Sequence, residues 1–333
     1  MLTSVYKALG AHPPAQPSLM LIDLVEWLLR LPDRRPRRVQ WSWVLRSKIL
    51  RPIEIQGLER IAANFFAGND LRAFLGTATS SLRQRHKEAP KSGAAKGKLR
   101  WQPDLLFSDW GIHHFHLGPD LDAKGKKVLR SERVLFAYLT NTDAYFIDVL
   151  PHKKADGGIA WADKEILEKL DSEWPDVLAR FELRGVMLPA KSDSPSSAEI
   201  HSLRQTGVNP MLTINNKVYL GPGMGIATDR SSTRAVRLSD EIRYELNQMD
   251  QMFRDSQEHS KAHLFVAADA SIGYFIPDRN TAISFLSSRT SECRVTWFFQ
   301  RLLQEVPIFQ GRAENEIWLR PGVKLGRVPS AKN

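Results

Sequence analysis

Two apolar runs separated by a short polar link constrain this chain more than any other feature. RVLFAYL, from Arg133 to Leu139, and AYFIDVL, from Ala144 to Leu150, are rich in β-branched and aromatic residues and flank TNTD. That pattern predicts an antiparallel hairpin. Upstream, WGIHHFHLG at 110–118 reads as a further strand, joined to the hairpin by the polar, glycine-containing loop PDLDAKGKKVLRS. Together the three segments predict a small antiparallel β-meander.

The rest of the chain places helices before the meander and mixed structure after it. The first 85 residues read as helical: Ser18 caps a helix that stops before Pro32, RRPRR is a linker, and PIEIQGLERIAANFFAG has helical spacing with Gly68 as its stop. HKEAPKSGAAKGKLR has no apolar periodicity and marks a boundary, and PAKSDSPSSAE marks another. Between them a helix is expected over roughly Asp163 to Leu183, interrupted near Pro175. Beyond them the expectations are a helix near Glu199 to Gln205, a hairpin MLTI-NN-KVYL and a helix from about Ser239 to Ser256. Strands at HLFVAA, GYFIP and TAISF and a helix at VTWFFQRLLQEV follow. The Asn215-Asn216 pair suits a type I′ turn. The expected class is α+β, with a helical region at 1–90, an α+β domain carrying the histidines at 98–188 and a C-terminal α+β domain at 197–333.

Charge narrows the partners. Lys and Arg number 47 against 37 acids, a formal net charge of +10, and clustered cations favour a polyanion because they neutralise phosphates and release counterions. Seven basic residues lie between Arg83 and Arg100 against the single acid Glu88, with Lys96, Lys98 and Arg100 nearest the histidine segment. A second group, Arg30, Arg34, Arg35, Arg37 and Arg38, precedes Trp41 and Trp43, and a third, Lys124, Lys126, Lys127 and Arg130, follows the histidines. These groups point to nucleic acid, RNA in the first place, with no role for a membrane. The most apolar run, Leu19 to Leu29, is too short to span a bilayer and carries Asp23 and Glu26. Cys293 is the only cysteine, so no intramolecular disulfide and no cysteine-based zinc cluster can form, and a reducing cytoplasm is the expected location.

The chemistry concentrates in SDWGIHHFHLG, which holds three of the nine histidines, His113, His114 and His116. On a strand, residues of equal parity share a face, so His114 and His116 project together while His113 joins Phe115 and Leu117. A metal site needs a third protein ligand, for which His152, Asp109 and Asp120 are the candidates, and no HExxH motif is present. Acid and base work on RNA needs no metal. It requires a base for the 2′-hydroxyl, an acid for the 5′-oxygen and a cation beside phosphorus. His114, His116, Arg133 and His152 supply those types. GPGMGIATDRSS is glycine-rich but lacks the GK[ST] ending of a phosphate loop and reads as a flexible loop.

The succession WGIHHFHLG, basic loop, RVLFAYL, then AYFIDVL ending in PH resembles the central meander of RelE-type ribonuclease toxins and their barnase-like relatives. The resemblance implies a short antiparallel sheet packed on N-terminal helices, with basic and histidine side chains cleaving RNA without cofactor. It also implies that Arg133 and His152 match the arginine opening a sheet strand and the histidine after the last one. A protein antitoxin or assembly partner would accompany that role. The alternatives are a nucleic-acid-binding protein of a mobile element or phage-defence system that does not cut, and a nuclease with a histidine-bound metal.

Overall fold

The computed structural model describes residues 2–83, 104–123, 125–151, 160–186, 195–255, 263–266, 272–276, 281–286 and 293–306. The fold is α+β. Its principal sheet contains β1 (Arg38–Trp41), β2 (Ile112–His116), β3 (Arg133–Leu139) and β4 (Asp143–Pro151) in the order β1-β4-β3-β2. β2, β3 and β4 form the expected antiparallel meander. β1 extends it by pairing parallel to β4, Arg38 opposite Asp143 and Trp41 opposite Phe146. The segment after RRPRR therefore enters the sheet rather than belonging to a purely helical region. Asp143 anchors it, accepting from Arg38 at 3.0 Å and from Gln40 at 3.1 Å.

The helices are α1 (Leu2–Ala8), α2 (Pro17–Arg30), α3 (Trp43–Arg46), α4 (Pro52–Ala67), α5 (Thr77–Ser80), α6 (Leu105–Trp110), α7 (Glu165–Glu173), α8 (Pro175–Ala179), α9 (Ser197–Gln205), α10 (Thr233–Asp255) and α11 (Arg294–Glu305). The chain divides into two compact units, one of residues 29–81 and 101–234, the other of 1–28, 82–100 and 235–333. These interleave along the chain and cut across the expected spans 1–90, 98–188 and 197–333.

The first unit contains the principal sheet, with both faces covered. α4 begins with Pro52 at its first turn, where Glu54 accepts from the Arg51 amide at 2.9 Å, and ends at Gly68 in the left-handed region at φ 70°. Phe65 of α4 meets Phe115 and Phe146 edge-on, at 5.7 and 5.9 Å between ring centroids. On the other face Ile112, Val134, Phe136 and Tyr138 join Ile166, Leu167 and Leu170 of α7, Val177 and Leu178 of α8, and Ile200 of α9 in one apolar core. A bulge between Phe136 and Ala137 interrupts the β3–β4 register, and Ile147 lies in that same core.

A short hairpin, β5 (Leu212–Ile214) and β6 (Lys217–Tyr219), completes this core. Asn215 and Asn216 both have positive φ, 48° and 63°, as the expected I′ turn demands. Asp171 of α7 ties the hairpin down by accepting from Tyr219 Oη and Asn215 Nδ2, each at 2.8 Å.

In the second unit, α1 and the first part of α2 are joined by Tyr6, whose hydroxyl lies 3.3 Å from the Met20 carbonyl. The start of α11 is held by Glu245 of α10, which accepts from the Arg294 and Val295 amides at 3.2 and 3.0 Å. Arg301 of α11 donates to the Leu28 carbonyl at 3.1 Å. Strands β7 (His263–Val266), β8 (Ile272–Ile276) and β9 (Thr281–Leu286) form an antiparallel sheet in sequence order.

Candidate functional site

Local capping delivers the histidines to β2. Asp104 caps α6 by accepting from the Phe107 amide at 3.1 Å, and Gly111, at φ 67°, ends the helix and turns the chain into the strand. The strand alternates as its parity requires. His113 is buried between Phe107, at 4.7 Å, and Phe115, at 5.9 Å. Burial pushes its imidazole down to about 3, helped by the charges of Arg37, His114 and Arg234 against the opposing pull of Asp104. His113 is core.

His114 and His116 share the opposite face, their ring centroids 6.4 Å apart. Behind His114, Nδ1 lies 3.8 Å from Asp104 Oδ2, and the same carboxylate oxygen accepts from Thr79 Oγ1 at 3.0 Å. The indole of Trp161 packs 5.1 Å from the His114 ring. Both imidazoles reach towards the turn before α5. A methyl group added at Gly76 would sit 3.8 Å from His114 Nε2, 3.9 Å from His116 Nε2 and 3.9 Å from Thr79 Oγ1. Three polar atoms thus converge on one point above a glycine. The site is recessed, with side-chain exposure of 13% for His114 and 8% for Asp104, while His116 as a whole residue is 3% exposed.

The turn that carries Gly76 is pinned from the loop after β2. Val128 N donates to the Ala73 carbonyl at 2.9 Å. Lys127 Nζ reaches the Arg72 carbonyl at 2.7 Å, the Leu75 carbonyl at 3.2 Å and Ser80 Oγ at 2.6 Å. Lys127 therefore points inward, not towards a phosphate backbone as its place in a basic loop suggests. Lys126 and Arg130 are exposed. Lys96, Lys98, Arg100, Lys124 and His152 lie outside the described residues.

Arg133 does not join the histidines. Its neighbour Val134 is opposite His116, so Arg133 projects to the other side of the sheet, where it lies 3.3 Å from Glu54 Oε2 and donates to the Val149 carbonyl at 3.0 Å. Burial pushes Glu54 up, but the Arg51 hydrogen bonds and the charge of Arg133 outweigh it and hold the carboxyl below its usual range. The cation beside the histidines cannot be Arg133. The arginine group before Trp41 is likewise committed, Arg34 to Asp70, Arg35 and Arg37 to Asp33, and Arg38 to Asp143.

Asp109 is also spoken for. It forms a buried ion pair with Arg204 at 2.7 Å, and Arg204 lies 4.1 Å over the Trp110 ring while donating to the Trp161 carbonyl at 2.6 Å. Burial raises the Asp109 carboxyl and lowers the Arg204 guanidinium, while each partner's charge opposes the shift. Among the described residues no group of three or more His, Cys, Asp or Glu is placed to hold a metal ion.

The GPGMG segment is a packed joint rather than a flexible loop. Gly223 N donates to the Asp109 carbonyl at 2.8 Å, Gly225 N to Ser108 at 3.0 Å and Met224 N to Gly221 at 2.8 Å. Those three amides are used inside the protein. Gly221 is obligatory here, because a Cβ would stand 2.2 Å from the Asp109 carbonyl oxygen.

Comparison of the chain with protein-family models, curated proteins and solved structures found no match. Among the described residues no helix is long and apolar enough to cross a membrane.

Proposed function

We propose that the chain is a toxin-like endoribonuclease that uses no metal, with His114 and His116 as its acid and base. The observation that carries this reading is their convergence, with Thr79, on the point above Gly76. Transesterification through a 2′-hydroxyl needs a proton acceptor and a proton donor beside one phosphorus, and the two imidazoles, with ring centroids 6.4 Å apart, are the pair of groups that would take those roles. Asp104 beside Nδ1 of His114 favours the tautomer with its proton on that nitrogen, which puts the lone pair on Nε2, the nitrogen that acts as the base. His116 then serves as the acid. Exposed Lys126 and Arg130 supply charge along the approach, in place of the arginine that the sheet carries to its other side. A reducing cytoplasm and a protein inhibitor as partner belong to the same reading.

The burial of His116 favours a second reading, in which the protein binds nucleic acid without cutting it. One assay separates them. A single-stranded RNA oligonucleotide incubated with the protein in EDTA should give 2′,3′-cyclic phosphate ends, and His114→Ala and His116→Ala should each lower the rate by at least 100-fold. The variants should retain the wild-type melting temperature within a few degrees. Intact RNA with wild-type protein, with or without added divalent metal, would sink the nuclease and leave the binding reading.

A further inference from the structure

We propose that Ser80 and Lys127 form a nucleophile–base dyad, a second reactive centre that accepts an activated acyl or phosphoryl group on the Ser80 hydroxyl. It goes beyond the nuclease reading and does not depend on it.

The geometry is that of an amine held by two carbonyls. Lys127 Nζ lies 2.7 Å from the Arg72 carbonyl oxygen and 3.2 Å from that of Leu75, and these two acceptors each take an N–H. The remaining tetrahedral position faces Ser80 Oγ at 2.6 Å. The ammonium donates its third N–H there, to Ser80 Oγ, and once it loses that proton the position becomes the lone pair of the neutral amine. Ser80 Oγ also donates to the Gly76 carbonyl oxygen at 3.0 Å and lies 3.5 Å from that of Thr77, and among these neighbours only the neutral Lys127 amine is basic enough to remove its proton. Ser80 and Lys127 are both half-buried, which screens the dyad from bulk water without sealing it.

The electrostatics agree with the geometry. Burial lowers the Lys127 ammonium to about 8, the charge of Arg72 adds to the shift, and Asp70 and Asp122 oppose it. A substantial fraction is therefore neutral in mildly alkaline solution, as a lysine base requires. With an ester, Ser80 Oγ bonds to the acyl carbon as its proton passes to Lys127 Nζ, and the alcohol leaves with that proton. Water then attacks the acyl carbon, gives its proton to Lys127 and releases the acid, and the proton returns to Ser80. No oxidant or co-reactant other than water enters.

The test is covalent labelling of the full chain with a fluorophosphonate, the adduct located by peptide mass spectrometry. The expected result is one adduct at Ser80, with fluoride lost, formed at a rate that rises with pH about a midpoint near 8. Ser80→Ala should abolish it. Lys127→Arg keeps a cation and its donors but cannot accept a proton, and should lower the labelling rate at least 100-fold. Absence of a Ser80 adduct, or labelling of Lys127→Arg at the wild-type rate, would overturn the dyad and leave Lys127 as a structural brace. If Lys127→Arg does not fold, the pH profile of the wild-type decides: a labelling rate flat from pH 6.5 to 9.5 rejects the base.

Discussion

At the scale of single residues, two buried polar groups set opposite demands on stability. Asp109 and Arg204 are each about fully buried, and their pairing offsets a desolvation cost that neither could bear alone. Asp109→Asn removes one charge and strands the other under Trp110. We expect it to cost about 3–5 kcal/mol in urea unfolding, against near neutrality for a surface control such as Asp240→Asn. His113 works the other way. Its imidazole is held neutral down to about 3 by burial, whereas in the unfolded chain it takes up a proton near its ordinary value of about 6.5. The unfolded state thus binds more protons between those limits, so this contribution to stability is complete above about pH 6.5 and is lost as the pH falls towards 3. His113→Phe, which keeps a ring between Phe107 and Phe115, should flatten that part of the curve. Melting temperatures at pH 7.5 and pH 5 measure it: the wild-type should lose more on acidification than the variant.

At the scale of elements, close approach matters as much as propensity. Gly57 lies mid-way along α4, where alanine would ordinarily improve the helix by about 1 kcal/mol. A Cβ there would stand 2.6 Å from the Leu117 carbonyl oxygen, just beyond the histidine strand. Gly57→Ala should therefore destabilise by about 1–3 kcal/mol, with strain outweighing propensity, and a variant more stable than wild-type in thermal unfolding would refute the tight fit. The same contrast explains what could be read in the chain. Gly68 ending α4, the Asn215-Asn216 turn and the parity that separates His113 from His114 and His116 are local signals, written within a few residues, and the structure reproduces them. β1 was not legible because RVQW carries no strong alternation and its parallel pairing to β4 is made across about a hundred residues. Arg133 needed the register with β2 before its face could be known, and Asp104, Thr79 and Gly76 meet the histidines only through packing that no local spacing announces.

At the scale of the whole molecule, the question is how much of the net charge of +10 is offered to a partner. The arginines before Trp41 are spent on Asp33, Asp70 and Asp143, Arg133 is spent on Glu54, and Lys127 is turned onto backbone carbonyls. Formal charge therefore overstates the cationic surface in the unit that carries the histidines. Exposed Lys126 and Arg130 lie on the loop leading into β3 and have no such commitment among the bonds described. For single-stranded RNA each phosphate neutralised contributes about −0.7 to the slope of log K against log salt. If both cations sit on phosphates, the double variant Lys126→Gln/Arg130→Gln should flatten the slope by about 1.4, the sum of two such contributions, while Arg133→Gln should leave it unchanged and lower stability instead. Fluorescence anisotropy of a labelled oligonucleotide at roughly 50 to 300 mM salt, the range over which counterion release is steep, reads the slopes, and thermal unfolding reads the stability. An unchanged slope in the double variant would move phosphate recognition away from this loop, and an equal loss in Arg133→Gln would mean that the pairing with Glu54 opens when RNA binds.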